Sequence, residues 1–209
     1  KRVGDFVREF SNAAKRREAK AVTFEEAGRL ISARESYLTA SLLWAAGRWP
    51  IFEVNEELEY LEERMNHCYE KFIEYAPHPI KKVRIPFDGK ELPAYLHLPR
   101  EPVEGETFPC VVNLPGMDSS KETGVNMYGD SYLERNMAVL SIDGPGQAES
   151  VALGIHVTNS NHMDAAKVVA DWLEAQPAID SSKLLIRGTS FGTYWGLQWA
   201  AALALRRVR

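Results

Sequence analysis

A serine with a glycine two positions before it and another two positions after it is the clearest chemical signal in this 209-residue sequence. The segment reads Gly188-Thr189-Ser190-Phe191-Gly192, and it stands between "KLLIR", with three successive apolar residues, and a long aromatic and aliphatic run. A serine at a sharp turn from a strand into a helix has a strained backbone, and Cβ atoms at both flanking positions would collide with that turn. Glycine at 188 and 192 removes those collisions. The spacing therefore predicts an exposed, nucleophilic Ser190 hydroxyl beside helix N-terminal N–H groups that can hold an oxyanion.

A serine hydroxyl needs a base, usually a histidine oriented by an acid, before it can attack a carbonyl at neutral pH. No histidine, aspartate or glutamate follows Ser190, and we interpret His162, at the start of a predicted helix, as a surface or capping residue. We therefore expect the acid and histidine of a triad not to be in this chain. All of the histidines precede the serine: His67, His78, His97, His156 and His162.

The elements that must position this serine fall into two regimes. Residues 1–79 show helical spacing of apolar residues, and residues 80–209 show a hairpin followed by buried strands that alternate with helices. This order predicts an α/β fold with a mostly parallel sheet and helices on both faces, preceded by a separate helical domain.

Local signals refine this outline. We expect Thr23 and Glu26 to form a capping box that starts a helix, Asn55 to cap the start of a second helix, and Asp88-Gly89 to turn a hairpin. We expect another helix from Lys121 to about Arg135, capped by one of residues 118–120. The last helix is apolar nearly all round, which predicts burial on every side and hence a longer protein, with roughly 100 or more further residues.

Three segments resemble the α/β-hydrolase superfamily. They are "NLPGMDSSKE" (113–122), "IDGPGQAES" (142–150) and "RGTSFGTYW" (187–195). More narrowly, the chain resembles the branch with an N-terminal helical cap, which includes 2,6-dihydroxypseudooxynicotine hydrolase, fungal yellowish-green chain-shortening hydrolases and the fermentation–respiration switch proteins. Ala148 stands where that branch usually has glycine.

The resemblance implies a role for particular residues and an N-terminal cap at residues 1–79. Ser190 matches the family nucleophile, and the backbone N–H groups of Phe191 and Met117 match the two oxyanion donors. Gly116 would let the backbone turn close to the substrate carbonyl. The cap would cover the active site, and its candidate lining residues are Tyr37, Trp44, Trp49 and Tyr60.

The resulting hypothesis is a serine hydrolase that forms an acyl-enzyme on a small-molecule carbonyl substrate, either an ester or a carbon–carbon bond beside a ketone. A non-catalytic binding or regulatory protein of the same fold and an acyltransferase that uses the same serine stay open as alternatives. A homo-oligomer is also open.

The net charge of −4 argues against nucleic acid and anionic membranes as partners. We expect no cofactor, no metal site, and two buried thiols, Cys68 and Cys110, in a cytoplasmic protein.

Overall fold

The chain divides into two compact units, Lys1–Pro77 and His78–Arg209. A computed structural model describes residues 3–51, 53–125 and 131–206. The sequence pattern changes close to the same place, at residues 79 and 80. Among the helices in the described ranges, none combines the length and the apolar character that a bilayer span requires.

The described residues of the first unit form three helices, and the turn after the first helix differs from the sequence prediction. Thr23 and Glu26 do not start a helix, because they lie in the last turn of one. Gly28 adopts φ +69°, its N–H donates to the carbonyl of Glu25 (2.9 Å), and the Arg29 N–H donates to that of Phe24 (2.8 Å). These bonds form the Schellman motif that closes a helix. The helices are α1 (Val3–Glu26), α2 (Leu30–Arg48) and α3 (Glu56–Glu74).

A carboxylate joins the three helical segments. The Glu25 side chain on α1 accepts hydrogen bonds from the hydroxyls of Tyr37 and Tyr75 and from the Lys71 ammonium at 3.0 Å. These bonds lower the pKa of Glu25 to about 2. The start of α3 is held as the sequence predicts, by an Asn55 side chain that accepts from the Leu58 N–H at 2.9 Å.

Two of the predicted lining residues belong to the interior. Tyr37 and Trp44 are fully buried, and the Trp44 indole N–H donates to Glu18 at 3.2 Å. Trp49 and Tyr60 are exposed, so a lining role stays a prediction for these two. Cys68 and Cys110 are buried free thiols, as expected, and burial raises the pKa of each to about 12.

The second unit contains a five-stranded mixed sheet in the order β1-β2-β4-β3-β5. β2 runs antiparallel to β1 and β4, whereas β3 runs parallel to β4 and β5. The predicted hairpin is confirmed, with Asp88 and Gly89 both at positive φ between β1 and β2. The strands are β1 (Ile80–Phe87), β2 (Lys90–His97), β3 (Phe108–Leu114), β4 (Ala138–Ile142) and β5 (Ile179–Gly188).

In the described residues between β3 and β4, the helix predicted from Lys121 to about Arg135 is absent. Short 3₁₀ turns at Lys121–Thr123 and Leu133–Arg135 stand there, and residues 126–130 lie outside the described residues. Ser120 precedes the first turn without a side-chain capping bond. Gly124 lowers helix propensity, and its backbone lies where a Cβ would come within 2.1 Å of the Ser141 Oγ.

The last helix buries one face in this structure and leaves the opposite face exposed, so burial on every side, which is expected of a longer protein, stays a prediction. Trp195 and Trp199 pack into the core that the sheet forms, whereas Leu197 and Leu205 are 68% and 64% exposed. The remaining helices of this unit are α4 (Ala148–Ala152), α5 (Asn161–Glu174) and α6 (Gly192–Arg206).

Candidate active site

Ser190 lies in a strained turn between β5 and α6. Its φ is +52°, in the left-handed region that residues other than glycine rarely adopt, and the residue is exposed. Among the described residues other than glycine, Asp88, Asn136 and Ala148 also have positive φ, and of these Asp and Asn tolerate this region in turns. A serine tolerates it less well, so the surrounding structure must hold this conformation.

The two glycines that flank the serine are required by close backbone contacts. A Cβ at Gly188 would lie 2.4 Å from the carbonyl oxygen of Gly192, at the start of α6. A Cβ at Gly192 would lie 2.4 Å from the Leu114 carbonyl oxygen and 2.3 Å from that of Pro115. Gly188 therefore lets the turn close on itself, and Gly192 lets α6 start against the end of β3.

The loop after β3 lies directly beside the serine. A Cβ on Gly116 would be 3.2 Å from the Cβ of Ser190, so the backbone at this position touches the turn. Within the part of the chain that the structure describes, the N–H groups of Met117 and Phe191 donate to no protein acceptor. The geometry thus brings together the predicted nucleophile and the loop of the predicted second oxyanion donor.

A buried ion cluster, which sequence reasoning missed, connects the loop after β3 to the loop after β4. The Lys121 ammonium lies 2.7 Å from Glu122, 2.7 Å from Glu149 and 3.3 Å from Asp143. The Lys121 backbone N–H also donates to Asp143 at 2.7 Å, and Arg84 of β1 pairs with Glu149. The only sequence signal for this cluster is that its acids and lysine fall in two of the segments that carry the family resemblance.

The charges in this cluster stabilise one another. Burial by itself would lower the pKa of Lys121, but Glu122, Asp143 and Glu149 raise it well above its ordinary value. Burial likewise opposes ionisation of Glu149, but Lys121 and Arg84 lower its pKa. A charged lysine between carboxylates is therefore the state that holds these loops together.

Gln147 makes a second connection between the same two loops. Its side-chain N–H₂ group donates to the carbonyls of Pro115 (2.7 Å) and Gly116 (3.2 Å), and its oxygen accepts from the Gly144 N–H at 3.0 Å. The residue is fully buried. Ala148, the next residue, has φ +35°, which explains why glycine is usual at this position in the branch that the sequence resembles.

His162 is buried, so its interpretation as a surface or capping residue is wrong. Its Nδ1 accepts from the Trp199 indole N–H at 3.2 Å, which leaves the proton on Nε2 to be donated to the Pro145 carbonyl at 2.9 Å. The ring also stacks on Trp195, and burial lowers its pKa to about 4. Both ring nitrogens are engaged in holding α5, α6 and the loop after β4 together.

The other histidines are also separate from the serine. His78 and His97 hydrogen-bond to each other at 3.0 Å and are buried, and burial keeps the pKa of His97 well below its usual value. His67 and His156 are exposed. Within the described residues no histidine is hydrogen-bonded to Ser190, and no group of three or more His, Cys, Asp and Glu residues could hold a metal ion.

The sheet order, the helices on its faces and the strained serine after β5 define an α/β-hydrolase fold. The crystal structure of 2,6-dihydroxy-pseudo-oxynicotine hydrolase matches it with a TM-score of 0.79 at 24% sequence identity. The match covers 94% of this chain and 54% of that chain. The fold predicted from the sequence is therefore confirmed.

Sequence comparison gives the family. A family model described as esterase FrsA-like matches residues 1–207, so the chain belongs to the FrsA-like esterase family. The chain is 24% identical to esterase FrsA of Photobacterium profundum over 190 residues, covering 90% of this chain and 44% of that protein. It is 28% identical to the alpha/beta hydrolase ucsC of an Acremonium species over 212 residues, covering 92% and 43%. The chain thus spans less than half the length of these curated relatives.

Proposed function

We propose that this chain supplies the nucleophile and the oxyanion-binding groups of a serine hydrolase that works through an acyl-enzyme. The observation that carries the proposal is the exposed Ser190 at φ +52°, in contact with the Gly116 loop. A strained residue at a strand-to-helix turn costs stability, on the order of 1–3 kcal/mol, and such strain is concentrated at functional sites. A protein that only binds a ligand has no need of this conformation.

In the proposed reaction the Ser190 Oγ attacks the substrate carbonyl carbon and gives its proton to a histidine base. The carbonyl oxygen becomes an oxyanion that accepts hydrogen bonds from the N–H groups of Met117 and Phe191. Collapse of this intermediate expels the leaving group, which takes the proton from the histidine. Water then attacks the acyl-serine while the histidine accepts its proton, and return of that proton to Ser190 releases the acid and the free enzyme. We propose that the base and its acid lie outside these 209 residues, because His162, His78 and His97 are engaged elsewhere and neither of the exposed histidines, His67 and His156, is hydrogen-bonded to Ser190 in the described residues.

A carboxylic ester is the substrate class that we propose first. The family is described as esterase FrsA-like, and the relative from Photobacterium profundum is named an esterase. A carbon–carbon bond next to a ketone is the second candidate, because the same serine and oxyanion groups would serve that cleavage when the leaving carbanion is stabilised as an enolate. Hydrolysis of p-nitrophenyl esters and of a β-diketone by the complete protein distinguishes the two.

We further propose that the helical unit is the cap of this hydrolase, a role that rests on the family resemblance. A cytoplasmic location stays a prediction, supported by the two free buried cysteines.

The test is covalent labelling of the complete protein with a fluorophosphonate, which reacts with activated serines. Ser190→Ala should abolish both labelling and ester hydrolysis. Ser182→Ala is the matched control, since Ser182 is an exposed serine on β5, and it should leave both unchanged. Labelling that persists in Ser190→Ala would reject this serine as the nucleophile.

The two alternatives give different results in the same experiment. A non-catalytic binding protein would show neither labelling nor turnover in the wild type. An acyltransferase would label at Ser190, but added alcohol or amine acceptors would take most of the acyl group in place of water.

A further inference from the structure

We propose that Gln147 is a positioning residue that sets the direction of the Met117 N–H by holding the carbonyl of the preceding residue, Gly116. This inference rests on the proposed function, in which the Met117 N–H binds the oxyanion. It concerns a buried side chain on the loop after β4 that acts on the loop after β3.

The contact is made through one peptide group. The Gly116 carbonyl oxygen and the Met117 N–H belong to the same planar unit, and in a trans peptide they point in opposite directions. A donor that fixes the carbonyl on one side therefore fixes the N–H on the other side. The Gln147 amide donates to this carbonyl at 3.2 Å, and the Ser119 N–H donates to it as well, also at 3.2 Å.

The same amide also holds the preceding peptide. Gln147 donates its other amide hydrogen to the Pro115 carbonyl at 2.7 Å, so two successive carbonyls point towards one side chain. Both are on the strand-end loop that passes Ser190, where a Cβ on Gly116 would be 3.2 Å from the serine Cβ. Rotation of either peptide would break a hydrogen bond between fully buried groups, which costs about 1–3 kcal/mol.

The chemistry of the surroundings fixes the orientation of the amide. The nitrogen faces two carbonyls, and the oxygen faces the Gly144 N–H at 3.0 Å. The opposite orientation would place an acceptor against two acceptors. The Gln147 backbone N–H donates to the Gly144 carbonyl at 3.0 Å, so this side chain is held by its own turn while it holds the neighbouring loop.

A role confined to stability predicts different kinetics from a positioning role. A general loss of stability lowers the concentration of active protein. The KM and the kcat per active site of the protein that remains folded stay unchanged. Misdirection of an oxyanion donor lowers the kcat of each active site, because this hydrogen bond is stronger in the transition state than in the ground state.

The experiment compares the kcat and KM of Gln147→Met with those of Gln176→Met for ester hydrolysis by the complete protein, well below its unfolding temperature. End-point fluorophosphonate labelling counts the active sites, so that kcat is obtained per active site. Gln176 is the matched control, since its amide also donates to a backbone carbonyl, that of Trp172 at 3.1 Å, at the end of α5. We expect Gln147→Met to lower kcat per labelled site by about 10- to 100-fold with little change in KM. The control should stay within about twofold of the wild type.

A second variant, Gln147→Glu, keeps the shape of the side chain and so tests the proposal if the methionine variant does not fold. A protonated carboxyl can donate one hydrogen bond to the two carbonyls, whereas a carboxylate would repel both. The ratio of variant to wild-type kcat should therefore fall by about tenfold or more as the pH rises through the pKa of the introduced carboxyl.

The outcomes separate this inference from the proposed function. Labelling that depends on Ser190, together with a kcat for Gln147→Met equal to that of Gln176→Met, would overturn the positioning role and leave the serine mechanism intact. For Gln147→Glu, a ratio to wild type that does not change with pH would also overturn it. Absence of any Ser190 labelling in the wild type would overturn the proposed function, and the positioning role with it.

Discussion

Replacing Lys121 with methionine would remove the cation from the buried ion cluster while keeping an unbranched side chain of similar length. The Lys121 side chain is 1% exposed, and it lies within 3.3 Å of three carboxylates, on Glu122, Asp143 and Glu149. Without the lysine, these buried acids would face one another with Arg84 as the remaining cation described at the cluster.

The size of the effect follows from this burial. Removing one partner of a buried ion pair costs about 3–5 kcal/mol, because the charges left behind are uncompensated. We therefore expect Lys121→Met to lower the free energy of unfolding by at least this amount. Lys167→Met is the control, since Lys167 makes a 2.9 Å pair with Asp164 at the surface, where both side chains are more than half exposed. Such a pair contributes about 0–1 kcal/mol.

Urea denaturation of the complete protein measures both effects. The double variant Lys121→Met/Glu149→Gln should lose less stability than the sum of its single changes, by at least about 1 kcal/mol, because one unpaired charge is removed. A role of the cluster in holding these loops together is refuted if the free energy of unfolding of Lys121→Met lies within about 1 kcal/mol of the wild-type value. It is also refuted if the losses of the two single variants add up to the loss of the double variant.

The remaining predictions concern the backbone at residue 148 and the carboxylate that joins the helices. Ala148→Gly should raise the free energy of unfolding by about 0.5–1 kcal/mol, because φ +35° is strained for alanine. Ala152→Gly, in the same short helix, should lower the free energy of unfolding by a similar amount. If urea denaturation shows that both glycine variants change this free energy in the same direction, alanine is not strained at residue 148. Glu25→Gln should destabilise the protein by about 1 kcal/mol at pH 7, since Tyr37, Tyr75 and Lys71 all donate to the carboxylate. The pKa of Glu25 is lowered to about 2 from 4.5, so the difference in the free energy of unfolding between this variant and the wild type should have its full size above about pH 4.5 and vanish towards pH 2. A difference that does not change with pH would refute this prediction.

Local patterns predicted the parts of the structure that neighbouring residues decide. Asp88-Gly89 turns a hairpin because both residues tolerate positive φ. Asn55 caps a helix because its side chain reaches an N–H three residues on. Local patterns failed at Thr23 and Glu26, because the same two residue types can occupy a helix end when Gly28 follows and closes it.

At the turn that carries Ser190, the sequence pattern predicts the local conformation but not the contact between distant segments. The glycines at 188 and 192 indicate a tight turn from the sequence, and the structure has one. The contact partner of Gly192, however, is the carbonyl of Leu114 at the end of β3, far away in the chain. Spacing alone attributes this glycine to its own turn, whereas the neighbouring strand requires it.

By itself, the sequence determined the two regimes, the α/β fold and Ser190 as the residue to which the chemistry is assigned. Only the tertiary structure decided that Gln147 contacts Gly116, that Lys121 pairs with Asp143 and that Trp199 hydrogen-bonds to His162. The physical reason is that turns and caps depend on residues a few positions apart. These polar contacts join residues far apart in the chain, on loops or, for Trp199 and His162, on the helices α6 and α5, and the side chains carry no periodic signal of their partners.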